Sequence, residues 1–369
     1  MSITTLKSPS TFRLLSVAAA VALTGLASCR PAGSPDGSDS VITQSIALTG
    51  AGASFPAPLY QNWAIQLAQV ERNLQVNYQS IGSGAGIEQF TAGTIDFGAS
   101  DTAMTDAQMA AVTRGTLLLP MTAGSIVMAY NLTGVETGLK LTRDAYVGIL
   151  SGKITTWNDP AIAAANPGVT LPDQRITVVH RSDGSGTTGV LTKHLSAISP
   201  EWESSIGQGN AVEWPTTGNF VGARGNEGVT AQIQNVNGAF GYVEYGFATN
   251  NGLAVAALEN QSGNFIVPSD ESARATLEAV ELPDNLRAFI TDPEGPDSYP
   301  IVTYSWMMMY KENPDAPKAI ALERWIEFGL NEGQDQAEPL GYVRLPYPVR
   351  QRVAEAADVI SPDYTITLK

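Results

Sequence analysis

From about Ile46 to Ala357, strand-like and helix-like runs alternate, and three of the turns that join them are short segments of glycines and hydroxyl residues. These are Gly52-Ala53-Ser54-Phe55, Gly82-Ser83-Gly84-Ala85-Gly86 and His180-Arg181-Ser182-Asp183-Gly184-Ser185-Gly186-Thr187. Around the third, Arg175 to His180 reads as a buried strand, and Val190, Leu191, Leu195 and Ile198 read as the inner face of a helix. Successive strand–turn–helix units predict an α/β chain, mostly parallel sheet flanked by helices, with ligands at the carboxyl ends of strands. A helix start offers unpaired N–H groups and the positive end of its dipole, and glycines let a ligand approach the backbone closely. Such turns suit a small oxyanion, and Arg181 supplies a full positive charge beside the third.

The first turn leads into a helix with Ser54 as its expected cap, Pro56 and Pro58 near its start, and Leu59, Trp63 and Leu67 on one face. The strand Leu74 to Tyr78 follows, then the second turn, a helix expected from near Ile87, and the strand Ile95 to Ser100, which ends at Asp101. Two long apolar strands, Gly124 to Tyr130 and Ile301 to Tyr310, bracket the middle of the chain and read as crossings between lobes. We therefore expect residues 46–127 and 301–369 in one lobe and 128–300 in a second, a cleft design that closes by hinge motion.

Residues 1–28 carry Lys7, Arg13 and the apolar run Leu14 to Leu26, a signal peptide too short to span a membrane. Leu26-Ala27-Ser28-Cys29 is similar to a bacterial lipobox, so Cys29 is the expected lipid-bearing residue of an exported, membrane-anchored protein. Residues 29–45, rich in Pro, Gly, Ser and Asp, read as a flexible tether. Cys29 is the only cysteine, so no internal disulfide is expected. The formal charge of −15 grows more negative once Lys7 and Arg13 are removed, which argues against a nucleic-acid partner. A small buried anion remains compatible, because distant surface charges are screened over about 8 Å.

Gly184-Ser185-Gly186-Thr187-Thr188-Gly189 opens like a nucleotide-binding loop, but Val190 replaces the required lysine. The glycines at 82, 84 and 86 miss the dinucleotide spacing. Of the two histidines, His180 should face away from Arg181, and His194 reads as a partly covered helix residue, so neither serves Ser185 as a catalytic base. Two histidines and one cysteine give no transition-metal set, and no calcium-loop spacing is present, so no cofactor and no catalysis are expected.

Arg181 and Asp183 have two readings: an ion pair at a turn, or a fork in which Asp183 steadies the guanidinium while its free edge grips an oxyanion. The second accounts for the pair standing directly before a glycine turn and a helix start. Asp101 is either a helix cap, in competition with Thr102 and Thr105, or an acceptor for a proton carried by the ligand. In the latter role it favours phosphate, which keeps a proton near neutral pH, over sulfate, which keeps none.

Thr49 to Pro58, Phe97 to Asp101, Asp183 to Thr187 and Gly241-Tyr242-Val243-Glu244-Tyr245 together resemble the periplasmic phosphate-binding proteins of ABC-type phosphate importers. The resemblance implies a two-lobed periplasmic-binding-protein fold of type II, a monomer, and delivery of phosphate to a membrane permease. It places Ser54, Phe55, Ser83 and Asp101 on phosphate from the first lobe and Arg181, Ser185, Gly186 and Thr187 from the second, with Asp183 behind Arg181. Ser54 stands where many relatives have threonine. The segment Thr217 to Glu227 is longer than the pattern, so Arg224 is given no ligand role. An extracellular phosphatase and a sensory or adhesive surface lipoprotein are the other classes compatible with the scaffold.

Overall fold

Alternating burial makes half-buried strands of Ile46–Gly52 (β1) and Leu74–Ser80 (β2), which pair in parallel with Ile46 opposite Leu74 and Gly52 opposite Ser80. The structure, a computed structural model, describes residues 42–369; the signal peptide, Cys29 and residues 29–41 of the expected tether lie outside the described residues. Ile42 is buried, and its carbonyl accepts from Asn73 Nδ2 at 2.8 Å. Between β1 and β2, the helix Ala57–Val70 buries Leu59, Tyr60, Trp63 and Leu67 at helical spacing. Its N-cap position is Pro56 with no side-chain cap, so Ser54 is not the cap its position suggested.

Phe97–Ser100 (β3) joins β1 in parallel, and Thr116–Asn131 (β4) follows as a strand of 16 residues, most of them buried. Then come Lys140–Leu141 (β5), Thr177–Arg181 (β6), Phe220–Ala223 (β7), Ala239–Glu244 (β8), Ala254–Val255 (β9), Ala257–Glu259 (β10), Phe265–Ile266 (β11) and Val302–Tyr310 (β12). The main sheet runs β2-β1-β3-β12-β4-β8-β6-β7, with β9 also on β4, while β11-β10-β5 forms a small second sheet. The parallel trios β2-β1-β3 and β8-β6-β7 are the parallel βα units expected in each lobe. In the middle, β4 and β12 run antiparallel to each other, and β4 pairs with β12 through Ser125 and with β8 from Ile126 onward. The apolar runs read at 124–130 and 301–310 fall on β4 and β12, the antiparallel strands that stand between the two parallel trios.

The second turn is tighter than its sequence suggested. Gly82 has φ 91°, a left-handed conformation favoured by glycine, and the helix begins at once as Ser83–Thr91, four residues before Ile87. A Cβ on Gly52 would stand 2.1 Å from the Ala99 carbonyl, so only glycine lets β1 end this close to β3. The helix Ala316–Leu330 brings the late part of the chain back: Trp325 meets Trp63 edge-on at 5.7 Å, and Trp63 Nε1 donates to the Gly333 carbonyl at 2.8 Å. No helix among the described residues is long and apolar enough to cross a membrane.

Candidate functional site

The carboxyl ends of β1, β3 and β6 and the starts of three helices meet across the cleft, and the lobes touch there. Gly84 N donates to the Gly184 carbonyl at 2.9 Å, and Ser80 Oγ donates to Glu227 Oε1 at 3.2 Å. Ser54, Phe55, Ser83, Asp101, Arg181, Ser185 and Thr187 are all buried. Gly186 faces them: a Cβ there would lie 2.5 Å from Ser83 Oγ and 2.8 Å from Asp101 N. The sequence-derived residues are therefore neighbours in space, although they are scattered from 54 to 187.

Ser185 occupies the N-cap of the helix Gly186–Ile198, where its hydroxyl accepts from Thr188 N at 3.0 Å. Apart from that cap, the first N–H groups of the helix have no partner within it, which is what lets a helix start receive an anion. Arg181, the last residue of β6, donates from Nε and Nη2 to the two carboxylate oxygens of Asp183 at 2.7 and 2.5 Å. With side chains 2% and 13% exposed, this is a desolvated fork rather than a surface ion pair. Asp183 Oδ1 also accepts from Gly225 N at 3.1 Å. Burial pushes the Asp183 carboxyl up, but the bond and charge of Arg181 outweigh it and hold the group below its usual range.

Asp101 is not a helix cap: Thr105 caps Asp106–Ala110 through a capping box with Gln108. Its Oδ1 accepts from Ser305 Oγ at 2.9 Å and its Oδ2 from Thr187 Oγ1 at 3.2 Å. Burial pushes its carboxyl up to about 6, against the lowering influence of Ser305, Arg181 and Thr187. Thr303 Oγ1 also donates to the Asp101 carbonyl at 3.1 Å. Sequence reading missed Thr303 and Ser305, yet a signal was present: two hydroxyls two residues apart put one polar face on an otherwise apolar strand.

Asn226 was also missed, and a lone Gly-Asn pair at a helix start carries no signal by itself. Its backbone N and Nδ2 both donate to Ser54 Oγ, at 3.0 and 2.9 Å, and Nδ2 lies 3.4 Å from Thr187 Oγ1. Its Oδ1 accepts from Glu244 N at 2.9 Å. Burial also raises the Glu244 carboxyl well above its usual range while it caps the short helix Tyr245–Thr249.

His194 is fully buried rather than partly covered, because its helix face turns onto Tyr146, whose hydroxyl lies 2.8 Å from Nε2. Burial, with Arg143 nearby, pushes it down to about 3, so the ring is neutral. His180 stacks on Trp214 at 5.0 Å, and Arg224 is exposed just before the helix Gly225–Asn235. A cavity of about 820 Å³ lies apart from these residues, along 277–284 and 343–352. We take the cleft as the site because it gathers buried donors, a desolvated cation and a perturbed acid.

The model of the PBP superfamily domain matches residues 31–332. The chain is 43% identical to the phosphate-binding protein PstS of Pasteurella multocida, over 84% of this chain and 90% of that one. It is 39% identical to the PstS of Xylella fastidiosa strain 9a5c, over 91% and 94%, and 32% identical to that of Methanocaldococcus jannaschii, over 94% and 95%. Among solved structures, a phosphate-binding protein from Stenotrophomonas maltophilia is similar in fold, with TM-score 0.68 and 22% identity over 84% of this chain and 93% of that one. PfluDING, a high-affinity periplasmic phosphate-binding protein solved with phosphate, has TM-score 0.67 and 19% identity over the same shares.

Proposed function

The chain belongs to the PstS phosphate-binding proteins of the PBP superfamily, and from that premise we propose that it captures inorganic phosphate in the closed cleft and delivers it to an ABC-type import permease. The observation that carries the reading is Asp101, a buried carboxylate set among anion-seeking donors. Such an acid is repulsive to a fully ionised guest and attractive to one that brings a proton. Ser54 and Ser83 would then donate from the first lobe with the Phe55 N–H. From the second lobe, Ser185, the N–H groups of Gly186 and Thr187, and the free edge of Arg181 would do the same, with Asp183 steadying Arg181.

In this reading residues 46–127 and 301–369 form one lobe and 128–300 the other. The protein is exported, held at a membrane through lipid on Cys29, monomeric, and releases its guest chemically unchanged. Its binding partners are phosphate and the permease.

Competition calorimetry with phosphate, arsenate and sulfate tests it. Phosphate and arsenate bind and sulfate is excluded; Asp101→Asn admits sulfate, and Arg181→Ala loses most phosphate affinity. An Asn variant that excludes sulfate as strongly as the parent overturns the proton-reading role.

A further inference from the structure

A serine hydroxyl has two acceptor positions and one proton. At Ser54 both acceptor positions are filled by one residue of the opposite lobe, since Asn226 donates to Oγ from its backbone N at 3.0 Å and from Nδ2 at 2.9 Å. The amide cannot be turned over without losing a bond, because its Oδ1 accepts from the buried Glu244 N at 2.9 Å. With Oγ saturated as an acceptor, the one role left to the hydroxyl is to donate its proton. We propose that Asn226 is a positioning residue that turns Ser54 into a pure donor when the lobes close, so that closure itself completes the anion site. The proposal rests on the reading above that Ser54 touches phosphate.

The arrangement couples two events that the donor list alone leaves separate. In an open cleft, with Asn226 withdrawn along with the second lobe, the Ser54 hydroxyl rotates freely and exchanges with water. Once Asn226 arrives, the rotor is fixed at no further cost when the anion binds, which is preorganisation in the cleft. Asn226 and Ser54 are both fully desolvated, so the two bonds act in a medium where they are strong.

The test is a double-mutant cycle on the full mature protein, read as phosphate affinity by calorimetry, with melting temperature of the phosphate-free protein as the fold control. Ser54→Ala and Asn226→Ala each weaken phosphate binding about tenfold, roughly one hydrogen bond, while the double variant is no weaker than Ser54→Ala alone. Additive losses, each variant costing its factor independently, overturn the proposal.

Asn226→Asp gives a second arm, since its oxygen still accepts from Glu244 N while the acidic side chain draws the Ser54 proton toward itself. Its charge repels the anion in either background, so only the part of its effect that disappears with Ser54→Ala reports on the hydroxyl. Absence of any such part counts against the proposal even if Asn226→Ala proves unstable. If Ser54→Ala leaves affinity unchanged, it is instead the assignment of Ser54 to phosphate that fails.

Discussion

Asp101 is held between two opposing tendencies. Burial pushes its carboxyl up to about 6, whereas Ser305, Arg181 and Thr187 favour the ionised form. The sign follows directly: with the native value above the unfolded one, the fold binds a proton between about pH 4 and 6 that the unfolded chain has released. The contribution of Asp101 to the stability of the phosphate-free protein is therefore greatest at the acid side and falls by about 3 kcal/mol as pH rises through 6. Under the proposed role binding runs the other way, because a protonated Asp101 would no longer accept the ligand's proton. After allowance for phosphate's own titration, calorimetric affinity should drop about tenfold per pH unit below 6 in the parent and stay flat in Asp101→Asn, which should also melt higher at pH 7 without ligand. Parallel profiles for the two proteins would remove Asp101 from the ligand. On the proposed reading the same residue lowers stability in exchange for a selective site, a trade common at binding clefts.

Among elements, the helix Ala316–Leu330 shows how a buried acid ties down a chain end. Glu323 Oε1 accepts from Ser361 N at 2.8 Å, Glu327 accepts from Thr367 N and from the Tyr364 hydroxyl, and Asn331 Nδ2 donates to the Thr367 carbonyl. Burial pushes the Glu323 carboxyl up to about 7, against the lowering influence of the Ser361 and Ile360 N–H groups that bind it. Its native value lies above the unfolded one, and the stabilisation is complete below about pH 4 and lost as pH rises through 7, an effect of about 3 kcal/mol. Glu323→Gln keeps the acceptor and removes the titration. Urea unfolding should find the variant more stable than the parent at pH 8 and similar at pH 5; equal stability at both would show that Glu323 does not titrate in this range.

At the scale of the whole molecule, closure is limited by backbone meeting backbone. A Cβ on Gly184 would stand 3.3 Å from the Gly84 Cα across the cleft, tight for one methyl and too close for a branched side chain. Gly184→Val should hold the lobes apart, weakening phosphate about a hundredfold, or ~3 kcal/mol, with unchanged melting of the free protein; small-angle scattering should show phosphate compacting the parent and not the variant. Compaction of the variant like that of the parent would show the contact is not limiting. The sequence by itself determined the βα units, the two long apolar strands and the turns around 54, 83 and 181, because periodicity and the conformations glycine allows are local properties. Only the tertiary structure decided which hydroxyls face Asp101, that Ser54 is bonded by Asn226 rather than capping its helix, and that His194 is wholly covered. Each of those depends on a partner distant along the chain: Ser305 stands 204 positions from Asp101 and Asn226 172 from Ser54. No local pattern encodes such a pairing: the first exists only once β12 lies beside β3, the second only once the start of the helix at Gly225 meets the turn at Ser54.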